Sequence, residues 1–290
     1  MLAQYFKALR PEQWSKNLVV FAGLIFAREF TNTVLISKAT LAFVLFCLAS
    51  SSMYLINDLI DYQKDKLHPR KSLRPIASGK IAKSGALILA VILIITSLTG
   101  AFHFLNKYFF AAICSYVILS MLYSFFLKKV VIIDVMSIAA GFVLRAVGGA
   151  AAINVEISAW LVVCTTLLAL FLSFGKRRHE LVLLEANAAN HRGILAKYSV
   201  SLLDQLISIV TAATIISYAF YTLSGEVSQK LGVEHLELTI PFVIYGIFRY
   251  LFLIHKMDAG GSPARILYSD LPILICVLLW ITSVLILMYV

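Results

Sequence analysis

Stretches of about twenty apolar residues, separated by short polar breaks, recur along the whole chain, which is the length an α-helix needs to cross about 30 Å of hydrocarbon. They predict spans at 17–36, 39–57, 84–105, 108–127, 131–153, 157–175, 200–223, 238–255 and 271–290. The first is the weakest as a pattern, because Arg28 and Glu29 interrupt it, and eight crossings with a re-entrant first segment is the alternative arrangement. No soluble domain, linker, low-complexity tract or internal repeat breaks the series, so a single membrane domain is expected over 1–290. The fold class is all-α, a polytopic integral membrane bundle of about nine helices.

Composition agrees, with 61% apolar residues and a mean hydropathy of +0.90, far above soluble domains. The first apolar run follows Lys7, Arg10 and Lys16 and has no small-residue cleavage site after it, so we expect no removable signal peptide. Cys47, Cys114, Cys164 and Cys276 all fall inside spans without ligand spacing, which predicts packing roles.

Charge sets the orientation. With nine spans, the N-terminus and the loops 58–83, 128–130, 176–199 and 256–270 share one side, which carries 19 of the 25 basic residues. By the positive-inside rule that side is cytosolic and the C-terminus lies outside. The net charge of +10 sits in short inter-helix loops mixed with acids, which argues against nucleic acid and for anionic lipid or a phosphorylated substrate.

Four constellations could carry chemistry. In Asn57-Asp58-Leu59-Ile60-Asp61-Tyr62-Gln63-Lys64-Asp65, helical spacing brings Asn57, Asp58, Asp61 and Asp65 toward one face. Three carboxylates so placed repel one another unless a cation joins them, and Mg²⁺, which takes a few carboxylates plus water and phosphate oxygens, suits the set. A solvated helix end paired with Lys64, Lys66 and Arg70 is the plainer alternative. Next comes a loop rich in proline and base from His68 to Lys80, whose Arg70, Lys71 and Arg74 could take diphosphate oxygens beside the metal.

The third is Gly175-Lys176-Arg177-Arg178-His179-Glu180-Leu181, where Lys176 and Glu180 are i, i+4 neighbours; it is either an interfacial anchor or an anion site. The fourth is the stripe Asp134, Ser137, Gly141, Arg145 and Gly148. Arg145 stands about three turns inside the membrane from Asp134 and needs an acid partner, a wet cavity or a phosphate. Weaker signals are Lys16, Tyr123 and Lys128 at the cytosolic side, and Trp14 as an interfacial anchor.

These residues carry a resemblance. Asn57 to Asp65, read as NDxxDxxxD in the second of nine helices, resembles the UbiA prenyltransferase superfamily. Arg10 to Asn17, the run from His68 to Gly79, GFVLRAVGGAAA from Gly141, GKRRHEL from Gly175, and Arg249-Tyr250 with Gly260-Gly261 are similar to the branch of phosphoribosyltransferases acting on decaprenyl phosphate. Aromatic prenyltransferases of the superfamily carry a second aspartate-rich motif where this chain reads GKRRHELVLLE. One acidic and one basic cluster thus replace two acidic ones.

The resemblance implies a membrane enzyme moving 5-phosphoribose from phosphoribosyl pyrophosphate to a polyprenyl phosphate, a cell wall precursor lipid, with release of pyrophosphate. It implies Mg²⁺ on Asn57, Asp58, Asp61 and Asp65, with Asp58, Asp61 and Asp65 as the catalytic carboxylates. Substrate contacts would fall to Lys16, Arg70, Lys71, Arg74, Tyr123, Lys128, Asp134, Arg145, Lys176, Arg177, Arg178 and Glu180. The site would open to the cytosolic face of the cell membrane; a homo-oligomer is compatible. A prenyltransferase using prenyl diphosphate and an aromatic acceptor is the alternative enzyme, and a secondary transporter is the alternative class.

Overall fold

The computed structural model describes residues 2–26, 29–67, 71–156, 158–184, 194–256, 266 and 269–289. It falls into two compact units: Met1–Ile25 with Glu29–Ile157, and Phe26–Arg28 with Ser158–Val290.

The first unit opens with α1 (Leu2–Ala8), a 3₁₀ stretch (Pro11–Phe21) and the short α2 (Ala22–Phe26). It continues with α3 (Thr33–Ile60), α4 (Tyr62–Leu67), α5 (Lys83–Phe104), α6 (Lys107–Phe125) and α7 (Ile133–Ala152). The second holds α8 (Ala159–Leu184), α9 (Val200–Leu223), α10 (Gly225–Leu231), α11 (Ile240–Lys256) and α12 (Leu271–Tyr289).

Among the described residues eight helices are long and apolar enough to cross a membrane, matching the expected spans from 39–57 onward. The expected first span, 17–36, is divided: its beginning is 3₁₀ and α2, and its end already belongs to α3. Asn32 starts α3 by accepting from the backbone N–H groups of Val34 and Leu35, which satisfies donors the first turn leaves open.

The divided segment nevertheless runs antiparallel to α3 for most of its length. Arg10 meets Asp58, Trp14 meets Ser51, Asn17 meets Ser50 and Cys47, Phe21 meets Phe43, and Leu24 clusters with Ala39. At about 1.5 Å per residue, Ala39 to Asp58 is roughly 28 Å of helix, close to the hydrocarbon thickness. A 3₁₀ helix rises about 2.0 Å per residue and so covers this distance with fewer residues than an α-helical span needs. Trp14, expected as an interfacial anchor, donates its indole N–H to Ser51 Oγ at 2.9 Å.

Small residues let these backbones approach, as membrane packing without a hydrophobic drive requires. Ala39, Ala42, Ala49, Ser50, Ser51 and Ser52 of α3 are buried; Ser52 Oγ donates to the Ala90 carbonyl at 2.7 Å, and Ser97 Oγ to the Leu45 carbonyl at 2.9 Å. A Cβ on Gly149 of α7 would strike the Val20 carbonyl, and one on Gly23 would lie 2.8 Å from Ala150 Cα. Outward, Leu87, Ile88, Val91, Ile92 and Ile95 of α5 are exposed, the face that lipid covers.

In the second unit, Tyr218 of α9 joins the Leu236–Thr239 turn and α12: its hydroxyl is 2.7 Å from Thr239 Oγ1 and accepts from Trp280 Nε1 at 2.8 Å. The four cysteines are free, as expected of packing residues.

Candidate functional site

The acidic cluster does not form one face. Helix α3 ends at Ile60, with Asp61 at φ −87°, ψ 6°, before α4 resumes at Tyr62. Asn57 and Asp61, at i, i+4, share one stripe and point at Lys128: its Nζ lies 3.1 Å from Asn57 Oδ1, and 2.7 and 2.8 Å from the Asp61 oxygens. Asp58 and Asp65 occupy the neighbouring stripe and are buried. Arg74 Nη1 bridges them, 3.0 Å from Asp58 Oδ1 and 2.5 Å from Asp65 Oδ2, and Arg10 Nη2 adds a second cation to Asp58 at 2.5 Å.

Local backbone makes this arrangement. Arg10 adopts the left-handed region (φ 55°) ahead of Pro11, an uncommon conformation for a side chain that size, and from there reaches Asp58 and stacks 5.1 Å over the Tyr54 ring. Lys128 lies on the short 3₁₀ turn Leu127–Lys129, and three residues beyond that turn Ile132 also has positive φ (68°) at the start of α7. Burial pushes the Asp65 carboxyl above its usual range, opposed by Arg74 beside it and by the charge of Lys71.

Deeper in the first unit sits Arg145, 6% exposed on α7. Its Nε donates to Asn17 Oδ1 at 2.6 Å, Nη1 to the Gly141 carbonyl at 2.8 Å and Nη2 to the Tyr116 hydroxyl at 2.8 Å. The guanidinium also lies 4.5 Å from the Tyr116 ring centre. An acid partner was one expectation; among the described residues no carboxylate makes an ion pair with it, and Asp134, fully buried on the same stripe, is not a partner. Lys16, the residue before Asn17, is half-buried.

The basic run of the second unit is likewise divided. Arg177, 2% exposed, donates to Glu180 Oε2 at 2.7 Å, while the more exposed Lys176 lies 3.9 Å from Glu180 Oε1. Arg178 ties three helices together: Nε to Asp204 Oδ1 of α9 at 2.5 Å and Nη1 to the Ile254 carbonyl of α11 at 3.2 Å. His255 Nε2 also approaches Asp204 at 3.4 Å. Arg249 of α11 pairs with Asp270 at 2.9 Å.

Arg70 lies outside the described residues, as do Gly260 and Gly261. Lys71 and Tyr123 are half-buried at the ends of the Lys71–Leu73 turn and of α6. Sequence reasoning left Arg10, Asn17, Tyr116, Asp204 and His255 out of the candidates. A polar residue beginning an apolar run was the available signal for Asn17; the others show themselves only through partners distant in the chain.

Among the described residues no group of three or more Asp, Glu, His or Cys side chains is disposed to hold a metal ion. What converges is one carboxylate and one amide oxygen, Asp61 and Asn57, on the single point where Lys128 Nζ sits. That donor set fits Mg²⁺, which completes its octahedron with water and phosphate oxygens, better than a metal that demands an all-protein cage.

Known proteins share features with this chain at the level of family, sequence and fold. A model described as the UbiA prenyltransferase family matches residues 17–178. The decaprenyl-phosphate phosphoribosyltransferase of Mycolicibacterium smegmatis is 33% identical, over 96% of this chain and 90% of its own. The protein of the same name from Corynebacterium glutamicum is 32% identical, over 98% and 86%. Among solved structures, a UbiA homolog from Archaeoglobus fulgidus bound to GPP and Mg²⁺ shares the fold at a TM-score of 0.73 and 21% identity, over 99% of this chain and 100% of that one.

Proposed function

The chain belongs to the UbiA prenyltransferase family, and on that premise we propose that it transfers 5-phosphoribose from phosphoribosyl pyrophosphate to a polyprenyl phosphate, releasing pyrophosphate. The reaction breaks the bond from ribose C1 to the pyrophosphate oxygen and forms one from C1 to an oxygen of the lipid phosphate. That oxygen is already anionic, so the attack needs no general base.

The observation that carries this reading is the balance of charge around the acidic helix end. One amide and one carboxylate oxygen converge, while Lys128, Arg74 and Arg10 crowd the same turn. Two aspartate motifs suit two metals around one prenyl diphosphate; a single oxygen pair surrounded by cations suits substrates with more phosphates than that. Asn57 and Asp61 would hold Mg²⁺, which when bound neutralises charge developing on the leaving pyrophosphate. Asp58 and Asp65, buried on Arg74, act by positioning that arginine. Lys128, Lys71 and Tyr123 face the diphosphate in this proposal, Arg70 is assigned to it by resemblance alone, and buried Asp134 supports the start of α7.

Of the second unit's run we assign Lys176 to an anion, with Glu180, Arg177 and Arg178 as its supports. The chain works as one membrane domain, multi-pass in the cell membrane, with the Asp58 end of α3 cytosolic as the basic bias indicates.

The test uses full-length protein in detergent with Mg²⁺, phosphoribosyl pyrophosphate and polyprenyl phosphates of several chain lengths. A phosphoribosylated lipid in the mass spectrum is the expected result. No such product at any chain length, or prenylation of an aromatic acceptor from prenyl diphosphate instead, overturns the proposal.

A further inference from the structure

The three carboxylates at the end of α3 are taken up by inner cations: Asp61 by Lys128, Asp58 by Arg10 and Arg74, and Asp65 by Arg74. Four lysines near them in the chain are left over. Lys64 and Lys66 of α4, Lys80, and Lys83 at the start of α5 are all exposed, and among the described residues none of the four makes an ion pair.

Two of them are nevertheless gathered at one point. The Lys83 ammonium lies 3.6 Å from the centre of the Tyr62 ring, and that of Lys66 lies 4.7 Å from the same centre. An aromatic ring attracts each cation singly, but two ammonium groups on one ring repel each other. Tyr62 is itself fixed, packed against the cluster that contains Leu55, Ile76, Ile81 and Ala86. The surface therefore concentrates positive charge that no carboxylate of the protein answers, and an anion bound there would be met by both lysines.

Position decides which anion. From this point α5 runs into the membrane with Leu87, Ile88, Val91, Ile92 and Ile95 exposed, the face that lipid covers. Lys83 stands one turn before Leu87, and the exposed Ser84 one turn before Ile88, so the lipid-covered stripe ends at Lys83. A lipid with its chains along that stripe has its phosphate at the level of the lysine.

The chain outside the spans agrees. Leu67, at the end of α4, is 83% exposed and Leu73 is 71% exposed, and exposed leucines among lysines are the composition of a surface that rests on the acyl boundary. A soluble phosphate would use none of this apolar area. A zwitterionic headgroup brings its own ammonium to a place that already holds two; an anionic headgroup brings none.

We propose that Lys66 and Lys83, gathered on Tyr62, bind the phosphate of an anionic phospholipid whose chains lie along the exposed face of α5. With this end of α3 cytosolic, as the basic bias indicates, the lipid belongs to the leaflet that carries anionic headgroups. The site uses none of the residues assigned to the transfer reaction and does not depend on that assignment.

The test reads lipid retention, not turnover. Full-length protein is carried in detergent micelles with equal amounts of phosphatidylglycerol and phosphatidylcholine, and native mass spectrometry counts the lipids that stay bound. Wild type should keep phosphatidylglycerol in excess. Lys66→Gln and Lys83→Gln should each lower that excess about fivefold, with the melting temperature unchanged because neither lysine has an ion pair to lose. Lys107→Gln is the control: Lys107 begins α6, is exposed and lies 5.2 Å from the Tyr108 ring centre, the same contact with one ammonium instead of two. It should leave the excess where it was.

The same excess in wild type and in a variant carrying both Lys66→Gln and Lys83→Gln overturns the site, and so does an equal fall in Lys107→Gln. Release of phosphatidylglycerol by inorganic phosphate at constant ionic strength would give the lysines to a free anion, and its displacement by an equimolar short-chain polyprenyl phosphate would give them to the acceptor. Either result overturns the phospholipid assignment.

Discussion

Lys128 Nζ lies 2.7 Å from Asp61 Oδ1 and 3.1 Å from Asn57 Oδ1, so a lysine 67 residues along the chain stands where the two oxygen donors of α3 converge. A divalent ion taking those oxygens must first displace the ammonium, and the ammonium then needs another anion. Diphosphate arriving with the metal supplies one. Lys128→Met should therefore tighten binding of Mn²⁺ alone by about tenfold, since Asp61 loses its resident cation, and weaken the metal–pyrophosphate complex by a similar factor. Titration with Mn²⁺, with and without pyrophosphate, followed by electron paramagnetic resonance, measures both. Equal effects on metal with and without pyrophosphate would remove Lys128 from diphosphate binding.

The two stripes of acids should respond differently to the same chemical change. Asp61→Asn removes a charge from a half-buried position whose partner is one lysine, and should cut turnover by about a hundredfold or more while leaving the melting temperature within a degree or two. Asp58→Asn leaves Arg10 and Arg74 facing a neutral amide at a carboxylate that is 3% exposed. Breaking such a pair should cost roughly 2–4 kcal/mol and lower the melting temperature visibly. Thermal melts in detergent beside a turnover assay separate the two. Reversed effects would exchange the roles assigned to Asp61 and Asp58.

Much of this arrangement was legible along the chain, because its determinants are local. Apolar runs of span length placed every long helix from α3 onward, leaving the short α4 and α10 unpredicted, and the i, i+4 relation of Asn57 and Asp61 placed those two side by side. The first crossing has other bounds than 17–36 because a 3₁₀ stretch, packed through Val20 on Gly149 of α7, covers the distance with fewer residues than the α-helical template counts. The pairing of Asp58 with Arg10, of Arg145 with Asn17 and of Arg178 with Asp204 depends on contacts 26 to 128 residues apart. No spacing rule reaches those. The charged runs were correctly located, but which of their members hold one another and which face a ligand is a matter of packing.

Arg178 is a case in point. Its bonds to Asp204 and to the Ile254 carbonyl join α8, α9 and α11, which makes it a strap within the second unit rather than a ligand for a mobile substrate. Arg178→Lys keeps the charge and loses the planar fork, so it should lower the melting temperature by several degrees and kcat in proportion to the folded fraction, with KM for phosphoribosyl pyrophosphate unchanged. A raised KM with an unchanged melting temperature would return Arg178 to the substrate.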